Sequence, residues 1–205
     1  MLAAPRRCET VLPAIRNKIF ACLATRFDVR KSDIQSVIKL DRPIVQYGRV
    51  SRLEGGDLMV GRHLVKQTAE DSRDASFVRV SLAFFFYLQF LRSLLQYSQL
   101  VDRHARHRGK TPDFELQNCF GQLNRILLLE LPSSQRLKLD EPTTVIVALI
   151  REVKATLRNG IYYYKNFGGD EVVDLSTLQC VVGRIRDRDE WAIIDRSDNV
   201  DIQGD

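Results

Sequence analysis

Apolar residues recur every four positions at Ile15, Ile19, Leu23 and Phe27, while Arg16, Lys18 and Arg26 lie mostly off that stripe. The spacing predicts an amphipathic helix over residues 13–27, with Pro13 in its first turn, where a missing N–H removes no helical hydrogen bond. Ser32-Asp33 offers a cap for a short second helix reaching Val37 and Ile38, and Pro43 ends helical character. Beyond Pro43 the period drops to two. Residues 44–53 partly alternate and are rich in strand formers. Gly55-Gly56-Asp57 reads as a turn, and Leu58-Met59-Val60 as the returning arm of a hairpin.

Further strands are predicted over 119–131, 143–154, 161–164, 172–173, 177–185 and 190–194. Turn formers separate them at Pro132-Ser133-Ser134, Asn159-Gly160 and Gly168-Gly169-Asp170, and residues 186–189 read as a charged hairpin tip. The segment 143–154 is ambiguous, because Val145-Ile146-Val147-Ala148-Leu149-Ile150 suits a buried helix equally well. Many short strands without regularly interleaved helices predict an α+β fold. Its expected form is an N-terminal helical segment (1–40), then an antiparallel, small-barrel-like β domain (41–198), then a tail (199–205). Tyr47-Gly48-Arg49-Val50-Ser51-Arg52-Leu53 is echoed by Phe120-Gly121-Gln122-Leu123-Asn124-Arg125-Ile126. A glycine after an aromatic suits a bend or bulge in a strand, so both copies favour β structure.

Residues 80–100 depart from this pattern. Fourteen of the 21 are apolar, and four of the ten Phe fall between Phe84 and Phe90. Gln89, Arg92, Ser93 and Gln96 share helical spacing, which predicts an inserted apolar helix with one polar stripe. Arg92 near the centre argues against a membrane span, since a central arginine costs ~2.5–3.5 kcal/mol on an insertion scale. A gene-level reading also fits. Val80-Ser81 can be encoded by GTGAGT, a splice donor, and Gln99 by CAG, an acceptor, with Phe and Leu codons giving a pyrimidine tract between them. Removing 80–99 joins Arg79 to Leu100-Val101-Asp102, so the segment reads as a translated intron.

The net charge of +5 is unevenly spread: residues 1–112 hold 20 Lys and Arg against 10 Asp and Glu, residues 113–205 hold 11 against 16. A basic half suggests a polyanion-facing side, although an unevenly charged solvated surface is the commoner outcome. Its densest part is Asp102-Arg103-His104-Ala105-Arg106-His107-Arg108-Gly109-Lys110. Arg103, Arg106, Arg108 and Lys110, with His104 and His107, are the candidate nucleic-acid contacts, each cation adding a salt-sensitive increment of affinity. A solvated loop is the competing reading.

No metal site is expected, because Cys8, Cys22, Cys119 and Cys180 are scattered and the two nearby histidines lack a third ligand. Cys119 and Cys180 lie in apolar strands, where an inert thiol is usual. Reduced thiols and a start without an apolar signal core make the expected compartment intracellular, the nucleus included. No GxSxG elbow, phosphate loop or paired-carboxylate spacing appears among carboxylates such as Asp74, Asp140, Asp170 and Asp174, and those beside Gly or Pro suit turns. The expectation is therefore a non-enzyme without cofactor or small-molecule substrate. In Tyr162-Tyr163-Tyr164, alternation sends Tyr163 opposite to its neighbours, and Trp191 reads as a core aromatic.

Residues 44–50, 74–79, 120–123, 178–184 and 191–196 resemble the C-terminal β-rich region of uncharacterised, CACTA-like transposon-associated proteins of basidiomycete fungi. The resemblance spans about residues 14–79 and 100–198 and skips 80–99. It implies a mobile-element-derived, β-rich accessory domain, a fragment of a longer ancestor. Taken with the basic half, the expectation is a non-enzymatic interaction module with nucleic acid or a chromatin protein as partner. A degenerate fragment without selected activity and a membrane-associated protein using 80–100 are the alternatives.

Overall fold

The computed structural model describes residues 1–51, 57–65, 74–80, 99–102, 114–117 and 119–195. Its first half contains β1 (Leu2–Glu9), α1 (Pro13–Phe27), α2 (Lys31–Val37), β2 (Ile44–Ser51), β3 (Leu58–Val60), β4 (Phe77–Val80), β5 (Gln99–Asp102) and β6 (Phe114–Gln117). The second half contains β7 (Cys119–Leu131), β8 (Thr143–Val153), β9 (Thr156–Arg158), β10 (Ile161–Tyr164), β11 (Phe167–Asp174), β12 (Leu178–Val181), β13 (Gly183–Asp187) and β14 (Glu190–Ile194). The fold is α+β and dominated by antiparallel sheet, as expected.

The two longest strands organise the rest. β7 and β8 pair from Phe120↔Val153 to Leu131↔Thr143. Their nearly continuous apolar runs mark strands buried on both faces. On one face Leu127, Leu129 and Leu131 join Val145, Val147 and Leu149 beneath Ile19 and Leu23 of α1 and Ile34 of α2. On the other, Leu123, Ile126, Ala148 and Ile150 meet Met59, Val78, Val80, Val173 and Leu178. An irregularity between Leu123 and Arg125 resets the alternation, so Leu123 and Ile126 face the same way despite their odd spacing. The helix alternative for residues 145–150 is thereby settled in favour of a strand.

The remaining strands add to this pair. β8 carries β11 on its far edge, while β7 carries β2 at Ile126–Leu128 and β4 at Cys119–Gln122. β2 holds β1 and β3, and β4 holds β12, completing an eight-stranded sheet among the described residues. β2 pairs with β3 as expected, while Gly55 and Gly56 of the expected turn lie outside the described residues. Gly48 and Gly121 serve close packing: a Cβ on Gly48 would collide with Leu64, and one on Gly121 would lie 3.2 Å from Ile150 Cδ1. A second sheet, ordered β13-β14-β10-β9, packs Tyr164 and Ile193 against Phe77, Phe120 and Val153.

Several expectations need correction. Residues 177–185 are not one strand: β12 pairs with β4, β13 with β14, and between them the Val182 amide donates to the Phe77 carbonyl (2.9 Å). Gly168 and Gly169 belong to β11, where the ladder with β8 shifts between Phe167 and Asp170, so they form a bulge in a strand and not a turn. The large sheet curls without closing among the described residues, because β11 passes to β12 through the 3-10 turn Leu175–Thr177 and the two share no ladder. β1 was not anticipated, since Pro5 and two arginines obscure its pattern. Among the described residues it pairs only with β2, and an edge strand tolerates the missing donor of Pro5. Residues 81–98, the body of the expected apolar helix, lie outside the described residues, as does the tail 199–205. The flanking Val80 and Gln99 are both in strands.

Leu23 is fully buried where α1 meets the β7–β8 face. Leu23→Ala is expected to cost about 2–5 kcal/mol in denaturant unfolding, the usual range for a buried leucine truncation. A change under about 0.5 kcal/mol would mean that α1 is not part of the cooperative core.

Candidate functional site

Arg103, His104, Arg106, His107, Arg108 and Lys110 lie outside the described residues, as does all of 103–113. Their frame is described. β5 and β6 pair antiparallel from Gln99↔Gln117 to Asp102↔Phe114, so the basic run connects the two arms of one ladder. β6 leads into β7 with Asn118 alone between them.

Two aspartates do matching work elsewhere. Asp74 Oδ1 accepts from the Ser76 amide (3.1 Å) and Ser76 Oγ (2.5 Å), while its Oδ2 accepts from Arg184 Nη2 (3.0 Å). Asp174 Oδ1 accepts from the Ser176 amide (2.9 Å) and Ser176 Oγ (2.6 Å), while its Oδ2 pairs with Arg26 Nη1. Each is an Asp-x-Ser turn opening onto a strand, β4 in one case and β12 in the other, and β4 and β12 are partners. A carboxylate side chain closing on the amide two residues on imitates a backbone turn. The second oxygen then fixes a distant arginine by a charge-assisted bond. Both carboxylates are thus engaged in structure through both oxygens; neither stands beside Gly or Pro, so the sequence expectation of turns at such carboxylates did not reach them.

The arginines show what the two turns attach. Arg184 of β13 lies between Phe77 and Trp191, with its guanidinium carbon 4.0 Å and 4.4 Å from the ring centroids, and it also donates to Tyr164 Oη (3.1 Å). Burial pushes the Tyr164 phenol above its ordinary value, and the hydrogen bond and charge of Arg184 pull it back. This guanidinium joins the second sheet to β4. A further tie runs from Arg79 Nη1 to Asp195 Oδ2 (2.8 Å), both largely buried. Arg26 performs the equivalent task for the C-terminal end of α1, and its partial burial lowers its pKa. As expected, Tyr162 and Tyr164 pack toward the aromatic cluster, whereas Tyr163 faces away under Arg158, 4.3 Å from its ring.

Around the second turn lies a cavity of about 370 Å³, walled by Val50, Met59, Ile146 and Leu178 with Arg26 and Asp174 at its edge. That size is at the small end of ligand pockets, roughly 300–1,000 Å³. Arg26 and Asp174 are paired with each other, and the cavity offers mainly an apolar wall. No group of three His, Cys, Asp or Glu suited to a metal occurs among the described residues, and none of their helices is long and apolar enough to cross a membrane. No family model, curated protein or solved structure matches the chain.

Sequence reading singled out Trp191, the tyrosines and the carboxylates but could not assemble them. Asp74 and Arg184 are 110 residues apart, and no local spacing joins them. The recurrence of Asp-x-Ser before an apolar strand, at 74–76 and 174–176, was the available signal.

Arg184→Ala is expected to lower stability by about 1–3 kcal/mol, through lost charge-assisted bonds and ring contacts. It should also shift the fluorescence of Trp191, the single tryptophan. Arg184→Lys should not restore stability, because an ammonium cannot stack as a plane between two rings. Full stability in the lysine variant would contradict the stacked joint. The thiols supply a second check. Burial pushes Cys22 and Cys119 up to about 11, against the pull of Arg26 in the first case and with the aid of Glu152 in the second. At pH 8 only about one in a thousand of either is thiolate. Exposed Cys8 is expected to alkylate first, with Cys22 and Cys119 following far more slowly; equal rates in the folded protein would contradict their burial.

Proposed function

We propose that this chain is a non-enzymatic interaction module that holds nucleic acid, alone or within nucleoprotein, through the basic connection 103–110. The reading is supported by the pairing of β5 with β6. The last pair, Asp102↔Phe114, brackets a connection whose sequence carries Arg103, Arg106, Arg108 and Lys110 with His104 and His107. Cations gathered on one connection between paired strands suit the regular negative charge of a phosphate backbone, which is bound largely by counterion release. The curled, barrel-like sheet then serves as a rigid base, and its Asp-x-Ser turns hold attached elements in place while consuming carboxylates that an enzyme would need free. The resemblance to mobile-element proteins agrees with such a partner, and with an intracellular location that includes the nucleus.

Four phosphate contacts imply a slope of about −3 to −4 for log affinity against log salt on B-form DNA. Titration of a fluorescent duplex at several salt concentrations is expected to give that dependence. The combined substitution of Arg103, Arg106, Arg108 and Lys110 by Gln should flatten it toward zero at every duplex sequence. Absence of binding to duplex or single-stranded nucleic acid at low salt, or an unchanged slope in the variant, would overturn the proposal.

A further inference from the structure

β6 ends at Gln117 and β7 begins at Cys119, so one residue of sequence separates the two strands. Their partners are two pieces of chain in order. β4 pairs with Cys119–Gln122, and β5 takes over one residue later at Phe114–Gln117, running in the same direction. One uninterrupted antiparallel strand can follow a partner in this way, and an interruption of one residue is the size of a bulge. Here β4 and β5 follow their partners in chain order, and the residues between Val80 and Gln99 enter where those partner positions are one residue apart.

We infer that residues 80–99 are an insertion, and that the functional form of this protein carries the unbroken strand Phe77-Val78-Arg79-Leu100-Val101-Asp102. Joining Arg79 to Leu100 continues the β4 register. Leu100 then takes the place of Val80, opposite Cys119 on β7 and Leu178 on β12. That place is 2% exposed and lies among Val78, Leu123 and Leu178, so it requires an apolar residue, and leucine supplies one. Val101 falls opposite Asn118 and Asp102 opposite Gln117, which moves the second arm three residues along its partner from its present pairing with Leu116. The ends of the deleted stretch can be written as splice donor and acceptor, and 13 of its 20 residues are apolar. The inference moves Asp102 from Phe114 to Gln117 and so changes the pair that frames residues 103–110, while its own tests read the strand and not nucleic-acid binding.

The experiment has a protein arm and a message arm. The full chain and a form lacking 80–99 are produced in parallel and compared by thermal unfolding and sedimentation. The shortened form is expected to be monodisperse, with a sheet-type spectrum and a melting temperature at or above that of the full chain. Leu100→Asp should lower that melting temperature sharply in the shortened form, because it places a carboxylate in the Val80 seat. Mature transcripts should lack the codons for 80–99. Loss of cooperative unfolding in the shortened form alone, insensitivity of the shortened form to Leu100→Asp, or retention of these codons in every mature transcript would each overturn the inference.

Discussion

The antiparallel ladder between β7 and β8 is the constraint on which the other elements depend. Neither strand has a solvent face to give up: both present leucine, isoleucine and valine to opposite sides, and each side must be covered. α1 and α2 cover one, and the curl of β3, β4, β11 and β12 covers the other. At a coefficient of roughly 25 cal/mol per Å² of apolar surface, a single fully buried leucine or isoleucine contributes about 1.5–3 kcal/mol. No peripheral ion pair approaches the sum over such a double-sided ladder. The bulge between Leu123 and Arg125 belongs to the same economy, since it turns Ile126 toward the core it would otherwise miss.

The periphery is then fastened by directed bonds. Asp74 and Asp174 each close a tight turn with one oxygen and hold an arginine with the other, one anchoring the second sheet and the other α1. Surface pairs such as Lys18–Glu171 are more exposed and worth little by comparison, ~0–1 kcal/mol each. The aspartate turns differ because their partners are partly withdrawn from water and arrive in planar, hydrogen-bonded geometry. Arg184 gains further from the rings on either side of it. Carboxylates occupied in this way hold a scaffold and leave its loops to do the binding.

Elements whose pattern is local were legible in the sequence. α1 spans Pro13–Phe27 as the four-residue stripe implied, and β7, β10 and β14 begin and end where alternation and turn residues placed them. The Asn159-Gly160 turn is formed with both residues at positive φ, the backbone such a hairpin requires. What failed depended on partners distant in the chain. Nothing local reveals that residues 177–185 divide between two sheets at Val182, because the cause is a hydrogen bond to Phe77, a hundred residues away. β1 was hidden by Pro5, acceptable only because the strand lies at an edge. The glycines at 168 and 169 suggest a turn in isolation, yet β8 holds them in a bulged strand. The Arg184 joint was invisible for the same reason: Asp74, Tyr164 and Trp191 drew notice singly, but Arg184, which joins them, did not.

A ladder buried on both sides, with everything else attached to it, makes a clear demand on dynamics: it should open only when the whole molecule unfolds. Native-state hydrogen exchange resolved by residue is the most direct measurement. The slowest amides are expected in the β7–β8 ladder, from Leu123 to Leu131 and from Val145 to Val153, exchanging at the rate of global unfolding. Amides of β9, β10, β13 and β14 should exchange earlier through opening of the second sheet. Slowest exchange in the second sheet, or fast exchange anywhere in the centre of the β7–β8 ladder, would contradict its role as the base of the fold.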